Sequence, residues 1–416
     1  MKKTLLLITL VLSLVLSMAA CSTDNAPNKD GATEPQTEAQ TEAPLTLDQK
    51  KDLIKQEVIV LMGDESVDPR EDPAKLLDAF SGDFKLSNLS SDYEQAELPS
   101  VIWKKGDVLV DEYADEIAYT VLKDGVVYYI GEGENGGYEC YGSYENDMPL
   151  TILSYFGIDL SMFTDNDEGM TDIPELKAED LTVSDDLTVC TISETYLKAM
   201  AKSLCESMDY TEDEITAFMT AFEGEGSYNV AEKKLLIELS GKSNTTGDLK
   251  VTVAASTNLN DGLAFSMKAE MVMPQGDFEV PTTIEMGYKN VKYNGNKVVS
   301  GAMYYNISAT VEIDDGEGGK ITSASTQSME ISINCENADK PILTYTDEDK
   351  TVVTGEPDEV YKQELKLDLS KSEDCFYYAA TYGDQSMSAT SDNLVLGTPD
   401  NTVPAEVLAA AVPEQN

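Results

Sequence analysis

The feature that most constrains the fold begins after residue 83, where apolar and polar residues alternate with a period of two and turn residues separate the alternating runs. Asp124-Gly125 separates two alternating runs and predicts a two-residue hairpin turn, and Lys105-Gly106-Asp107 predicts another turn. Such hairpins form an antiparallel meander. The predicted strands cover residues 84–89, 101–104, 108–113, 117–123, 126–130 and 138–144.

The alternation dominates the second half of the chain as well, where Val, Thr, Ile and Tyr are frequent and Asn, Asp and Gly lie between the runs. These strands form either a separate domain or an extension of the first sheet. The predicted strands are 248–255, 263–273, 282–288, 298–313, 326–334, 342–345, 360–369 and 376–382.

Helical periodicity is limited to short segments. Thr46 with Gln49, and Thr211 with Glu214, form capping boxes, and Ser193 caps a helix with an apolar stripe that includes Cys205. Pro73 and Pro404 each begin a further short helix. We expect the two helices within 193–222 to cover the meander.

The N-terminus has the layout of a secretory signal, with Lys2 and Lys3 before an apolar run from Leu5 to Leu16. The residues that follow, Met18-Ala19-Ala20-Cys21, resemble the lipobox of bacterial lipoproteins. This resemblance implies cleavage before Cys21, diacylation of its thiol, export, and anchoring to the outer face of the cell membrane. The alternative is an ordinary cleaved signal that happens to precede a cysteine.

A polar segment rich in Ser, Thr, Glu, Gln and Pro follows Cys21, and it contains too few apolar residues to fold. It resembles the stalks of lipoproteins from bacteria with a single membrane. The predicted organisation is a signal peptide (1–20), a lipidated cysteine with a disordered acidic stalk (21–45), a helix and meander domain (46–226) and a β-rich region (227–416).

The pattern of a helix, strands within Val101–Tyr113, and a Lys123-Asp124-Gly125 turn leading into Val127-Tyr128-Tyr129 resembles the curved-sheet lipoprotein carriers of the LolA and LppX kind. The resemblance extends from Thr46 to about Glu223. It implies an α+β, β-rich fold in which an antiparallel curved sheet or half-barrel is packed by helices and holds acyl chains on its concave face. None of the family's ligand-binding residues can be placed on this chain.

Composition excludes several classes of function. The formal net charge of −48 repels phosphates, so nucleic-acid binding is not expected. The chain has no histidine, which removes Ser-His-Asp and Cys-His chemistry and histidine metal sites. We therefore predict no catalytic residue, no metal ligand and no cofactor, and an enzyme would depend on carboxylates or a Ser-Lys pair.

Two smaller features remain open. Cys335 and Cys375 are the only pair of cysteines considered for a disulfide, while Cys205 is expected to be a buried apolar residue. The segment Asp165–Gly169 alternates oxygen ligands as a calcium loop does, but its glycine comes one position early and Leu176 stands where a bidentate Glu is needed. A solvated acidic turn is favoured.

Aromatic residues crowd into the predicted hairpins, where they could line a groove for an apolar ligand, stack on sugars, or pack across strands. Tyr144 belongs to the same crowd. The candidate ligand-binding residues are Trp103, Tyr113, Tyr119, Tyr128, Tyr129, Tyr138 and Tyr141.

The first hypothesis is a non-enzymatic surface lipoprotein that is attached to the membrane through Cys21 and binds a lipid-like or other small apolar ligand, or an envelope protein. A second is an envelope glycan hydrolase that uses a carboxylate pair. A third is a structural or adhesive module.

Overall fold

The computed structural model describes residues 45–62, 70–92, 98–133, 135–145, 152–158, 174–207, 211–243, 247–256, 263–275, 278–314 and 320–412. The predicted signal, Cys21, the predicted stalk up to residue 44 and the acidic segment Asp165–Gly169 lie outside these residues. The predictions made for them therefore stay predictions.

The helices are short, and in the described ranges none is both long and apolar enough to cross a membrane. They are α1 (Leu47–Leu61), α2 (Ile152–Tyr155), α3 (Glu194–Ser207), α4 (Glu212–Thr220) and α5 (Ala405–Ala410), with 3₁₀ helices at Pro73–Phe80 and Ala178–Asp180.

Most of the remaining structure is strand, in line with the predicted β-rich α+β class. The strands are β1 (Phe84–Ser87), β2 (Ser90–Ser91), β3 (Val101–Lys105), β4 (Val108–Glu112), β5 (Ile117–Lys123), β6 (Val126–Glu132), β7 (Tyr138–Glu145), β8 (Leu181–Val183), β9 (Val189–Ile192), β10 (Glu223–Asn229), β11 (Lys234–Ser243), β12 (Gly247–Ser256), β13 (Leu263–Gln275), β14 (Phe278–Asn294), β15 (Lys297–Asp314), β16 (Lys320–Asn334), β17 (Ile342–Val353), β18 (Glu359–Asp368), β19 (Phe376–Tyr382), β20 (Gln385–Ser391) and β21 (Asn393–Leu396).

The chain divides into two compact units, each built from two separate stretches of sequence. Unit 1 comprises Met1–Asp72 and Asn166–Met267, and unit 2 comprises Pro73–Asp165 and Lys268–Asn416. The sequence predicted a boundary between two independently folding domains at residues 226 and 227. The division into compact units does not test independent folding, so this boundary stays a prediction.

Unit 1 places helices on a set of antiparallel strands. Strands β8 to β12 pair with one another in sequence order. Helix α1 starts at the predicted capping box, in which Thr46 Oγ1 accepts from Gln49 N at 3.2 Å and Thr46 N donates to Gln49 Oε1 at 2.9 Å. It packs against β8 and β9, and Lys51 fixes it further through an ion pair with Asp185 at 2.7 Å.

We expected helices α3 and α4 to cover the meander, but they pack on β10 and β11 instead. The glycines of these strands explain this position. A Cβ atom at Gly241 of β11 would overlap the ring of Phe218 on α4, so the helix can approach the strand only because that side chain is missing. Gly224 and Gly226, which follow the helical segment 211–222 in the sequence, lie within the paired strand β10.

Unit 2 contains the predicted meander as an open sheet of seven strands, in the order β21-β1-β3-β4-β5-β6-β7. Lys123 pairs with Val126 across the predicted hairpin turn, and both Asp124 (φ 53°) and Gly125 (φ 74°) adopt the left-handed conformation such a turn requires. At the other side, β1 pairs with β21 from the end of the chain, so that Phe84 lies opposite Leu396.

Strands β14 to β17 are longer than the sequence predicted, whereas β18 has the predicted length and β19 the predicted bounds. Strands β14 to β20 pair in sequence order, and the short strand β2 pairs with β20. On one face the side chains are polar, as shown by the ion pair between Lys289 and Glu330 at 2.9 Å. The other face is apolar near its centre, where Ile331 and Leu365 are completely buried. We call this second face the inner face.

The segment 152–158, which includes α2, packs against both sheets of unit 2. Tyr155 donates a hydrogen bond to Asp111 of the meander. Next to it, Phe156 packs on Phe376 and Tyr378 of β19, with ring centroids 4.8 and 5.1 Å apart. This segment thus joins the two sheets.

The five cysteines of the described residues are all free, so the structure contains no bond between Cys335 and Cys375. Cys205 is fully buried on α3, as predicted, and burial raises the pKa of its thiol to about 12. It is therefore an apolar core residue and not a reactive thiol.

The close approach at Gly241 generates a stability prediction. Gly241→Ala should destabilise unit 1 by roughly 1–3 kcal/mol, because its new methyl group overlaps the Phe218 ring. Chemical denaturation and hydrogen exchange of the β11 amides measure the effect. Gly82→Ala is the control, since nothing lies within 4 Å of a Cβ there. Equal stability of the two variants would contradict the packing described.

Candidate functional site

The pleat of the meander sorts the predicted aromatic residues onto two faces. Trp103, Tyr119 and Tyr128 are 3–4% exposed, and they form one core cluster with Val407 and Ala411 from the C-terminal segment. Tyr138 is partly buried against the same cluster, and its ring meets that of Tyr119 edge to face at 5.5 Å. These four residues pack in the core beneath the end of the chain.

That end, residues 399–412, forms a strap across the cluster. Lys105 Nζ donates to the carbonyl oxygens of Pro399 (3.1 Å) and Asn401 (2.8 Å), and Lys123 Nζ donates to the carbonyl of Ala411 (2.9 Å). Lys85 Nζ donates to the Asn401 side chain at 3.0 Å. Lysines of three different strands therefore fix the strap over the aromatic core.

Tyr129, Tyr141 and Tyr144 lie on the opposite face and are 47, 63 and 44% exposed. Tyr141 and Tyr144 are three positions apart and share that face because of a β-bulge, which gives β7 one extra residue opposite Tyr129 and Ile130 of β6. Tyr113 follows the end of β4, where it is half-buried near Tyr155. The ligand-binding role of all these aromatic residues stays a prediction.

A second candidate, which the sequence did not indicate, lies on the inner face of unit 2. Register places Met286, Tyr305, Met329, Asp347 and Gln363 in one row across β14 to β18. Tyr305 is only 2% exposed. Among the described residues, neither its hydroxyl nor Asp347 Oδ1 has a hydrogen-bond partner, although both atoms are buried. We call this set the polar row.

The polar row marks the border between the buried and wet parts of the inner face. On one side lie Met303, Ile331, Tyr345 and Leu365, all buried. On the other side lie Ile307, Gln327, Asp349 and Tyr361, all half-buried. A ligand at the row would thus meet apolar surface and water at once.

Hydrogen bonds with neighbouring groups hold Gln363 and Asp347 of the polar row in place. Gln363 Nε2 donates to the Phe156 carbonyl at 2.6 Å and to the Tyr378 hydroxyl at 3.3 Å. Asp347 accepts hydrogen bonds from Tyr345 and Gln327. Burial, and next the charge of Asp349, raises the pKa of Asp347, because both disfavour the ionised form. The row therefore contains one fixed amide and two groups with unused hydrogen-bonding capacity.

No signal in the sequence distinguishes this row. Asp347 is one of 77 acidic residues, and a tyrosine in a strand is common. The row becomes visible only when the register of five strands is known, because its members are 16 to 24 positions apart in the chain. In the described ranges, no group of three His, Cys, Asp or Glu residues could hold a metal ion.

A third buried polar group, Asp111, lies where α2 meets the meander. Burial raises the pKa of its carboxyl to about 6, and the hydrogen bond from Tyr155 offsets only part of that effect. Its Oδ1 atom has no hydrogen-bond partner in the described structure.

Comparison of the chain with protein-family models, curated proteins and solved structures found no match.

The position of Asp111 predicts that stability depends on pH. The pKa of Asp111 is about 6 in the folded protein and 3.8 when unperturbed, so the folded state keeps this proton up to a higher pH than the unfolded chain does. The protonated carboxyl therefore adds about 3 kcal/mol to the free energy of unfolding below pH 4, and this stabilisation is lost as the pH rises to about 6.

Denaturant unfolding between pH 4 and 7.5 measures this dependence. Asp111→Asn should remove that part of the slope, whereas Asp107→Asn in the exposed β3–β4 turn should leave it unchanged. An identical slope in the wild type and in Asp111→Asn would show that Asp111 does not cause it.

Proposed function

We propose that this protein is an exported lipoprotein, anchored through Cys21 to the outer face of the cell membrane, and that it binds a ligand and is not an enzyme. The anchor rests on Met18-Ala19-Ala20-Cys21 and the polar segment after it. Two or more acyl chains hold a protein on a membrane stably, where a single chain binds reversibly.

The observation that supports binding is the pair of unsatisfied groups in the polar row. Buried polar atoms almost always have hydrogen-bond partners, and each unpaired one costs about 1–3 kcal/mol. The Tyr305 hydroxyl and Asp347 Oδ1 lie in the same row with Met329 between them. A ligand that supplies both missing hydrogen bonds would recover this energy.

The surrounding side chains define the chemistry of that ligand. Met286, Met303 and Met329 are buried in and beside the row, and methionine side chains adapt readily to apolar molecules. A hydroxyl or amine could donate to Asp347, and a hydroxyl could also accept from Tyr305. We therefore propose an amphipathic ligand with an apolar body and a polar head. This agrees with the carrier function implied by the LolA and LppX resemblance.

One feature favours the alternative of a glycan hydrolase. Asp347 and Asp349 are two residues apart in one strand and lie on the same face, so their separation is roughly 7 Å. Carboxylate pairs of glycan hydrolases are about 5–10 Å apart. Turnover of envelope glycans by the purified protein would support this alternative.

The anchor is tested first. Cys21→Ala should abolish incorporation of labelled fatty acid and release the protein into the medium, because the thiol that carries the lipid is gone. Cys140→Ala is the matched control and should remain labelled and membrane-bound. Continued labelling of Cys21→Ala would overturn the anchor assignment.

The ligand site is tested by native mass spectrometry and lipid extraction on full-length protein purified without detergent. Tyr305→Phe keeps the ring but removes the hydroxyl, so it should fold normally and lose at least about tenfold in bound ligand. Tyr304→Phe, on the opposite face of the same strand, should bind as the wild type does.

Two results would overturn the ligand proposal. One is the absence of any non-covalent ligand, with a bound water alone satisfying Tyr305 and Asp347. The other is equal ligand content in Tyr305→Phe and the wild type.

A further inference from the structure

The exposed rings of Tyr129, Tyr141 and Tyr144 form a second surface, separate from the polar row, which we call the tyrosine platform. Each ring is between 44 and 63% exposed, although tyrosines elsewhere in the same hairpins are buried. Single exposed apolar residues are ordinary on protein surfaces, but three exposed aromatic side chains on one strand pair form a patch typical of an interaction site.

The rings are held in fixed positions. Tyr141 donates from its hydroxyl to the Glu132 carbonyl at 2.7 Å, and its ring lies over Gly131, where a Cβ would be only 2.9 Å away. The rings of Tyr129 and Tyr144 are 5.7 Å apart and inclined by 30°. A hydrogen bond between their hydroxyls raises the pKa of Tyr129 to about 12. Rings that are already ordered lose little entropy on binding.

The charge of the hairpin restricts the partner. Residues 126–145 contain no Lys or Arg, and they include Glu132, Glu134, Glu139 and Glu145. This field repels nucleic acids, anionic lipids and phosphate polymers. Carboxylates accept hydrogen bonds from hydroxyl groups, so a neutral molecule with many hydroxyls suits the surroundings of the rings.

The shape of the surface favours a sugar over an apolar ligand. Small apolar ligands bind in clefts that remove most of their surface from water. The three tyrosines of the platform are instead open to solvent, although Val127, opposite Tyr144 on the same face, is buried. A pyranose ring can place its C–H face on tyrosine and leave its hydroxyls in water, because aromatic rings carry both an apolar face and a polar edge.

We propose that the tyrosine platform binds a neutral glycan chain, with successive sugar rings stacked on Tyr141, Tyr129 and Tyr144. Glu139 lies opposite Gly131, over which the Tyr141 ring packs, and its side chain lies over Gly133. In the proposed complex its exposed carboxylate accepts hydrogen bonds from sugar hydroxyls. This binding is independent of the ligand at the polar row, and it would hold the protein against a neutral polysaccharide of the cell surface.

Isothermal titration of the full-length Cys21→Ala protein with neutral oligosaccharides tests the proposal. The probes are glucose and N-acetylglucosamine oligomers of increasing length. Affinity should rise with length up to the number of rings contacted. Tyr141→Ala and Tyr129→Ala should each weaken binding about tenfold, while Tyr141→Phe should keep most of it.

Tyr382→Ala is the matched control, because Tyr382 is equally exposed, at 67%, but lies outside the platform. Tyr305→Phe should also leave oligosaccharide affinity unchanged, which separates this proposal from the ligand at the polar row. Absence of binding to every neutral oligomer would overturn the proposal, as would equal losses in Tyr382→Ala and Tyr141→Ala. Salt-sensitive binding of a polylysine peptide in place of the sugars would identify a basic partner and overturn it too.

Discussion

Unit 2 depends on the contact between the short segment 152–158 and its two sheets. Gln363 donates to the carbonyl of Phe156 at 2.6 Å, while the ring of Phe156 packs on Phe376 and Tyr378. One residue earlier, Tyr155 bonds to Asp111 of the meander. Because Gln363 belongs to the polar row, the contact that joins the sheets also fixes one end of the proposed ligand site. Packing and site geometry are therefore coupled in this unit.

Local signals predicted most of the elements, and long-range packing accounts for the differences. The Asp124-Gly125 turn and the capping box at Thr46 form as expected, because each depends on residues a few positions apart. The role of the glycines in β10 and β11 does not follow from the local sequence, since it depends on distant side chains such as Phe218. Neither the sorting of the tyrosines, which requires the bulge in β7, nor the polar row follows from periodicity.

The net charge of −48 means that lysine and arginine side chains are few, so the partners of each lysine matter for the fold. Lys105 and Lys123 donate to main-chain carbonyls of the strap, and not to carboxylates. Elsewhere, Lys289 pairs with Glu330 on the polar face, opposite the inner face. The buried carboxyls of Asp111 and Asp347 hydrogen-bond mainly to uncharged side chains and not to lysines. Their pKa values therefore stay raised. Such groups favour the neutral form, which suits hydrogen bonding to a ligand more than ionic contact.

The pairing of β1 with β21 has a consequence for how the chain acquires its structure. Phe84 lies opposite Leu396, and the Ser90 and Thr390 side chains of β2 and β20 bond across 300 positions of sequence. Contacts so distant in sequence form slowly, because a long loop must close first. Neither sheet of unit 2 can gain its last strand before the end of the chain is available. A chain with this topology therefore completes the two sheets of unit 2 only after residues 385–396 have been synthesised.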